Sequence, residues 1–63
     1  MSIGSKIRGA RELATFSVRE LSRRTGIDES HLSKIENDKV SPQIDTIKRI
    51  AVALRKDWRE LLE

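Results

Sequence analysis

Cysteine and tyrosine are absent from this 63-residue chain, and histidine, tryptophan, phenylalanine and proline occur once each. Each scarcity excludes something. Without cysteine there is no disulfide, no thiolate zinc site and no cysteine nucleophile. A single histidine, His31, cannot build a multi-histidine metal centre. Phe16 and Trp58 are too few aromatics for a stacking platform that binds single strands. The longest apolar run, Ile50-Ala51-Val52-Ala53-Leu54, falls far short of the roughly 20 residues a membrane helix needs. Met1–Lys6 has no apolar stretch behind its charge, so no signal peptide is read there. The expectation is a cytoplasmic protein, since a domain without disulfide staples suits a reducing compartment. No metal, cofactor or small-molecule ligand is expected. With the usual catalytic groups missing, an enzyme is not expected either.

What is present is charge and helical spacing. The length allows one small domain over residues 1–63, which buries only roughly 60% of the surface its unfolded form exposes. Charged residues make up 37% of the chain and the formal net charge is +3. The balance is uneven: residues 1–27 and 48–63 are basic, whereas residues 28–47 are acidic. A basic domain fits a polyanionic partner.

No stretch alternates apolar and polar residues as a half-buried strand does, and several step at helical spacing. Ile3, Ile7, Ala10 and Ala14 form one stripe of a helix over roughly residues 2–14. Ser17-Val18-Arg19-Glu20 has the pattern of a capping box, with Phe16 and Leu21 at the spacing of a hydrophobic staple. That second helix is expected to end before Gly26, which accepts a positive φ cheaply. Asp28 caps a third helix running to about Glu36, with Ile27 and Leu32 as its staple. Residues 37–42 form a loop. A fourth helix turns Ile44, Ile47, Ile50, Ala51 and Leu54 to one side, capped either by Ser41 with Pro42 at the first helical position or by Gln43. Asp57 opens a last helix of about one and a half turns carrying Trp58, Leu61 and Leu62. The fold class is all-α, with five short helices.

The short connection between the second and third helices forces a steep crossing, a helix-turn-helix. Leu32 and Ile35 set the inward direction of the third helix. At 100° per residue, Ser30 and Asn37 then point outward, Ser33 and Lys34 flank them, and Glu29 stands at the leading end. Small polar groups and one cation can enter a major groove about 12 Å wide.

The whole chain from Ile3 to Leu62 resembles the lambda repressor/Cro-type helix-turn-helix domains, the xenobiotic-response-element family. The matching residues are Ile3-Gly4-Ser5-Lys6-Ile7-Arg8, Ser17-Val18-Arg19-Glu20-Leu21-Ser22, Thr25-Gly26-Ile27, His31-Leu32-Ser33-Lys34-Ile35-Glu36-Asn37, Val40-Ser41-Pro42 and Ile47 with Ile50-Ala51-Val52-Ala53-Leu54. Within that family it is most similar to SinR-like and cupin-linked regulators. The resemblance implies that the third helix reads DNA, with Glu29, Ser30, Ser33 and Lys34 facing bases. It implies phosphate contacts from Ser17, Asn37 and Lys39, to which Arg19 and Arg23 on the second helix add. Arg11 and Glu36 match a structural salt bridge of the family. Four departures stand out. Val18 replaces a common Gln, Ser22 a common Ala at the helix crossing, and Asp38 and Arg55 each stand where Gly is preferred.

The reading is a sequence-specific regulator of transcription that binds double-stranded DNA as a homodimer on a pseudo-palindromic operator. Trp58 packs either on the core or across a dimer seam. Adjacent Leu61 and Leu62 cannot both face one small core, which places this segment at the seam. The rival is a protein-interaction module, antitoxin-like or an adaptor, using the same C-terminal apolar surface. The acids Asp28, Glu29, Glu36 and Asp38 near the groove-facing helix favour that rival, because acids repel phosphate. The chain stops at Glu63, directly after its last helix, which leaves little room for an effector domain and suits a small Cro-like protein or a piece of a longer one.

Overall fold

A computed structural model describes residues 2–63. Four α-helices and a closing 3₁₀ turn are found among them, and no strand. Helix α1 spans Ile3–Leu13, α2 Val18–Thr25, α3 Glu29–Glu36 and α4 Ile44–Leu54, followed by the 3₁₀ turn Trp58–Leu61. None of these helices is long and apolar enough to cross a membrane.

Side-chain oxygens open most of these elements by accepting from an otherwise unpaired helical N–H. Ser2 accepts from the Ser5 amide at 3.1 Å, Ser17 from that of Glu20 at 3.0 Å, Asp28 from that of Ser30 at 3.1 Å and Asp57 from that of Arg59 at 3.0 Å. Of the two alternatives for α4, Gln43 occupies the cap position, and its side chain makes no capping bond. The expected capping box at α2 is half formed. Glu20 does not return to Ser17; its carboxylate is taken by Arg23 and Arg24, each at 2.6 Å.

Helix ends are less orthodox. Gly26 closes α2 at φ 76° and donates to the Ser22 carbonyl at 2.8 Å. The other three α-helices close through residues with side chains in the same left-handed region: Thr15, Asp38 and Arg55 at φ 61°, 60° and 57°. Each sits in a Schellman pattern, in which the following amide reaches back to a carbonyl five residues earlier: Phe16 to Arg11, Lys39 to Lys34 and Lys56 to Ala51. The two departures at Asp38 and Arg55 therefore fall where the backbone favours glycine, and Thr15 is a third such site that the sequence did not flag.

The core lies where all elements meet. Ile7, Leu21, Leu32, Ile35 and Ile50 are fully buried, with Ile47, Ala51, Leu54 and Leu61 around them. Two expectations are corrected. Ile44 is 47% exposed rather than inward, because it is the first residue of α4 and projects beyond the layer that covers Ile47. The last element is a single 3₁₀ turn rather than an α-helix, too short to complete the 13-atom rings of an α-helix.

Candidate nucleic-acid interface

The α2–α3 turn is held from within. Thr25 Oγ1 donates to the Leu21 carbonyl at 2.8 Å and accepts from the Ile27 amide at 3.2 Å. Ser22, which replaces a common Ala at the crossing, donates its hydroxyl to the Ile27 carbonyl at 2.5 Å. With Gly26 supplying the positive φ, these bonds fix the angle between the helices. Ile27 and Leu32 bury beside Leu21, which turns the opposite face of α3 to solvent.

That face carries the four residues expected to read bases. Glu29, Ser30, Ser33 and Lys34 are all exposed, on two successive turns of one helix side. Ser30 is tied back: its hydroxyl donates to the Asp28 carboxylate, which also accepts the Ser30 amide. These bonds from Ser30, its hydroxyl first and its amide second, hold the Asp28 carboxyl below the usual carboxylate range. His31 is exposed as well.

The residues expected at phosphates are all exposed, and they differ in freedom. Ser17 accepts the Glu20 amide and keeps its own O–H for an outside acceptor. Among the described residues, Arg19 and Lys39 make no ion pair. Arg23 shares Glu20 with Arg24, and those two hydrogen bonds lower the Glu20 carboxyl. Arg24 also lies over the Phe16 ring, 4.4 Å from its centroid. Asn37 is held at both ends. Its Oδ1 accepts from Arg8 at 2.7 Å, and its Nδ2 donates to the Ser33 carbonyl at 2.9 Å.

Behind α3 stands a brace from α1. Arg11 meets Glu36 through two nitrogens at 2.7 and 3.0 Å, and its third donor reaches the Phe16 carbonyl at 2.8 Å. Glu36 is 4% exposed, so its charge is viable only because it is paired and fully hydrogen-bonded. The bond to Glu36, ahead of desolvation, raises Arg11 above its ordinary value. Sequence reasoning found this pair and missed three residues beside it. Arg8 adds a second contact to Glu36 at 3.4 Å, Ser2 donates to Asp38 at 2.7 Å, and Gly4 lets the two helices touch. A methyl on Gly4 would overlap the Ile35 carbonyl oxygen and sit 2.8 Å from that of Glu36. Positions 4, 7, 8 and 11 share one face of α1, so a glycine beside buried Ile7 was the available signal of close approach.

At the C-terminal end, Leu61 was expected at a seam and is instead core, 2% exposed. Leu62 stays 48% exposed. Trp58 is half-buried, flanked by Lys48 at 5.1 Å and Arg59 at 5.9 Å from the ring centroid. Adjacent leucines do separate, one inward and one outward.

With this geometry in place, the class follows from comparison as well. The helix-turn-helix family model HTH_3 matches residues 7–61. The chain belongs to that family, the Cro/C1-type helix-turn-helix proteins. Among curated proteins it is similar to an uncharacterised HTH-type transcriptional regulator of Mycobacterium tuberculosis, 43% identical over 82% of this chain and 37% of the relative. It is 40% identical to one from Sinorhizobium fredii, over 82% of this chain and 26% of the relative. The chain thus spans roughly a third of the curated relatives it matches. Among solved structures it superposes on SinR, a master regulator for biofilm formation crystallised in complex with DNA. The TM-score is 0.92 at 29% identity, over 97% of this chain and 98% of that one. An HTH_3 family regulator from Vibrio cholerae matches with a TM-score of 0.89 at 25% identity, over 95% of this chain and 34% of that one.

Proposed function

We propose that residues 1–63 form a single DNA-binding domain of a transcription regulator, in which α3 enters the major groove of double-stranded DNA. The observation that carries this reading is the uncovered face of α3, set at a fixed angle by the α2–α3 turn on a backbone like that of DNA-bound SinR. Lys34 donates to guanine O6 or N7, and Glu29 accepts from cytosine N4. Ser17, Arg19, Arg23 and Lys39 hold phosphates, and so fix register without reading sequence. Asn37 takes a different part from the one expected: with its amide engaged by Arg8 and Ser33, it orders the face and leaves phosphate binding to its neighbours. The acids Asp28 and Glu36 do not oppose this reading, since one is spent as a cap and the other is neutralised by Arg11 and Arg8.

One module covers too little surface for tight operator binding, so the working unit is a homodimer on a pseudo-palindrome, with half-site centres about 34–36 Å apart. Its seam runs through Leu62 and Trp58, with 77%-exposed Val52 one helical turn beyond Lys48.

The test is selection of bound duplexes from a random library at about 0.15 M salt, near physiological screening. The expected result is an enriched sequence with two-fold symmetry. With three cations on phosphates per protomer (Arg19, Arg23 and Lys39), log K falls against log salt with a slope of about −3 per protomer. Lys34→Ala is expected to lose about 1–3 kcal/mol of specific affinity and keep its helix content by circular dichroism. Weak binding with no enriched sequence would sink the reading. A second reading, a protein-interaction module, is favoured by one feature: the apolar groove between α1 and the 3₁₀ turn, where Leu13 stands 84% exposed beside Ala10 and Leu61. Binding through that groove would be insensitive to salt.

A further inference from the structure

The two serines on the outer face of α3 are chemically alike and differently wired. A serine hydroxyl can donate or accept, so by residue type alone it tells bases apart poorly. Intramolecular bonds remove that freedom. The Ser30 proton is committed to Asp28, a carboxylate that can only accept. On its outer side, Ser30 therefore offers lone pairs. Ser33 is wired the other way. Arg8 can only donate, so the oxygen end of the Asn37 amide must face it, which turns Nδ2 toward Ser33. Nδ2 then donates to the Ser33 carbonyl at 2.9 Å and to Ser33 Oγ at 3.4 Å. Among the described residues the Ser33 O–H has no acceptor, so it is left to donate outward.

We propose that the reading face of α3 is divided by hydrogen-bond polarity: Ser30 meets its base as an acceptor and Ser33 meets its base as a donor. The neighbours extend the division. Glu29 accepts beside Ser30 on the first turn, and Lys34 donates beside Ser33 on the second. In the major groove, cytosine N4 and adenine N6 donate, while guanine N7 and O6 and thymine O4 only accept. The base at Ser30 is thus cytosine or adenine, and guanine and thymine are rejected there because acceptor would face acceptor. The base favoured at Ser33 is guanine or thymine, with adenine admitted through N7, whereas cytosine could use only the lone pair that Nδ2 leaves and is disfavoured. The lowered proton affinity of Asp28 keeps the first half of this code in place through the neutral range. Arg8, which touches no base, is a positioning residue for the second half.

This inference rests on the DNA-reading assignment above, and the experiment separates the two. Duplex selection is run on the parent chain, and the positions under each serine are located by the preferences that Ser30→Ala and Ser33→Ala flatten. The expected parent result is an amine-bearing base under Ser30 and a keto base under Ser33, each favoured about fivefold or more. The decisive variant is Asn37→Asp. It keeps an acceptor for Arg8, and the oxygen standing where Nδ2 stood is repelled by the Ser33 carbonyl and turns to accept the hydrogen bond of the Ser33 hydroxyl, which leaves Ser33 an acceptor toward the base. The preference under Ser33 is then expected to reverse toward cytosine or adenine, while that under Ser30 stays. Overall affinity will fall from the added charge, so the readout is the ratio between bases. Should Asn37→Asp lose its helical circular dichroism, the parent preferences together with the two alanine variants decide alone. A keto base under Ser30, a cytosine under Ser33, or a folded Asn37→Asp with an unchanged preference overturns the polarity division while DNA reading stands. A parent chain that enriches no sequence overturns DNA reading, and this proposal with it.

Discussion

The two ends of α3 are held by different means. Its N-terminal end is joined to α2 by a short turn in which Ser22, Thr25, Gly26 and Ile27 bond to one another, with partners no more than five residues apart. Its C-terminal end is held by α1, through Arg11 and Arg8 on Glu36, Arg8 on Asn37 and Ser2 on Asp38, with partners 25 to 36 residues apart. The first end relies on backbone conformation and neutral hydrogen bonds. The second relies on a desolvated charge whose pairing must be complete. A helix that presents its face to a ligand needs both, since a hinge at either end would swing the face. The difference teaches that the local support can be weakened by degrees, whereas the distant one fails when a single partner is removed.

Substitutions at four positions break or sharpen that contrast. Arg11→Met is expected to cost most, about 3 kcal/mol by urea denaturation, because it leaves Glu36 buried with only the longer Arg8 contact. Gly4→Ala comes next at about 2–3 kcal/mol, as the new methyl would overlap backbone oxygens that cannot rotate away. Gly26→Val, at the other end of α3, should cost about 2 kcal/mol. Nothing lies within 4 Å of a Cβ built at Gly26, so its cost is conformational alone, and Gly26→Asn should recover part of it. A Gly26→Val variant that unfolds at lower urea than Arg11→Met would invert the ranking and make the turn the weaker point. The smallest effect has the opposite sign. Thr15→Gly relieves a β-branched residue held at φ 61° and should raise stability by about 1 kcal/mol, read as a higher urea midpoint at unchanged slope.

How much of this was legible follows the same division. The caps at Ser17, Asp28 and Asp57, the glycine end of α2 and the inward stripe of Leu32 and Ile35 are written in spacings of two to five residues, and each lies where its spacing placed it. Ile44 misled because a periodic stripe does not say where the covering layer ends. Leu61 and Leu62 were correctly separated by geometry, but which of them turned inward depended on the 3₁₀ turn folding back on α1 and α4. Within the site, the exposed quartet of α3 could be derived from helical phase. The state of its hydroxyls could not, because Arg8 orients Asn37 from 29 residues away.

The sequence by itself determined the helices, their caps, the tight α2–α3 crossing and the polar face that results, since these depend on backbone preferences and on side chains within one or two turns. Only the tertiary structure decided that Gly4 admits α1 against the end of α3 and that Arg8 joins Arg11 on Glu36. Those features arise where distant segments share space. There, the burial of a charge or the approach of a carbonyl depends on which atoms surround it rather than on its neighbours along the chain.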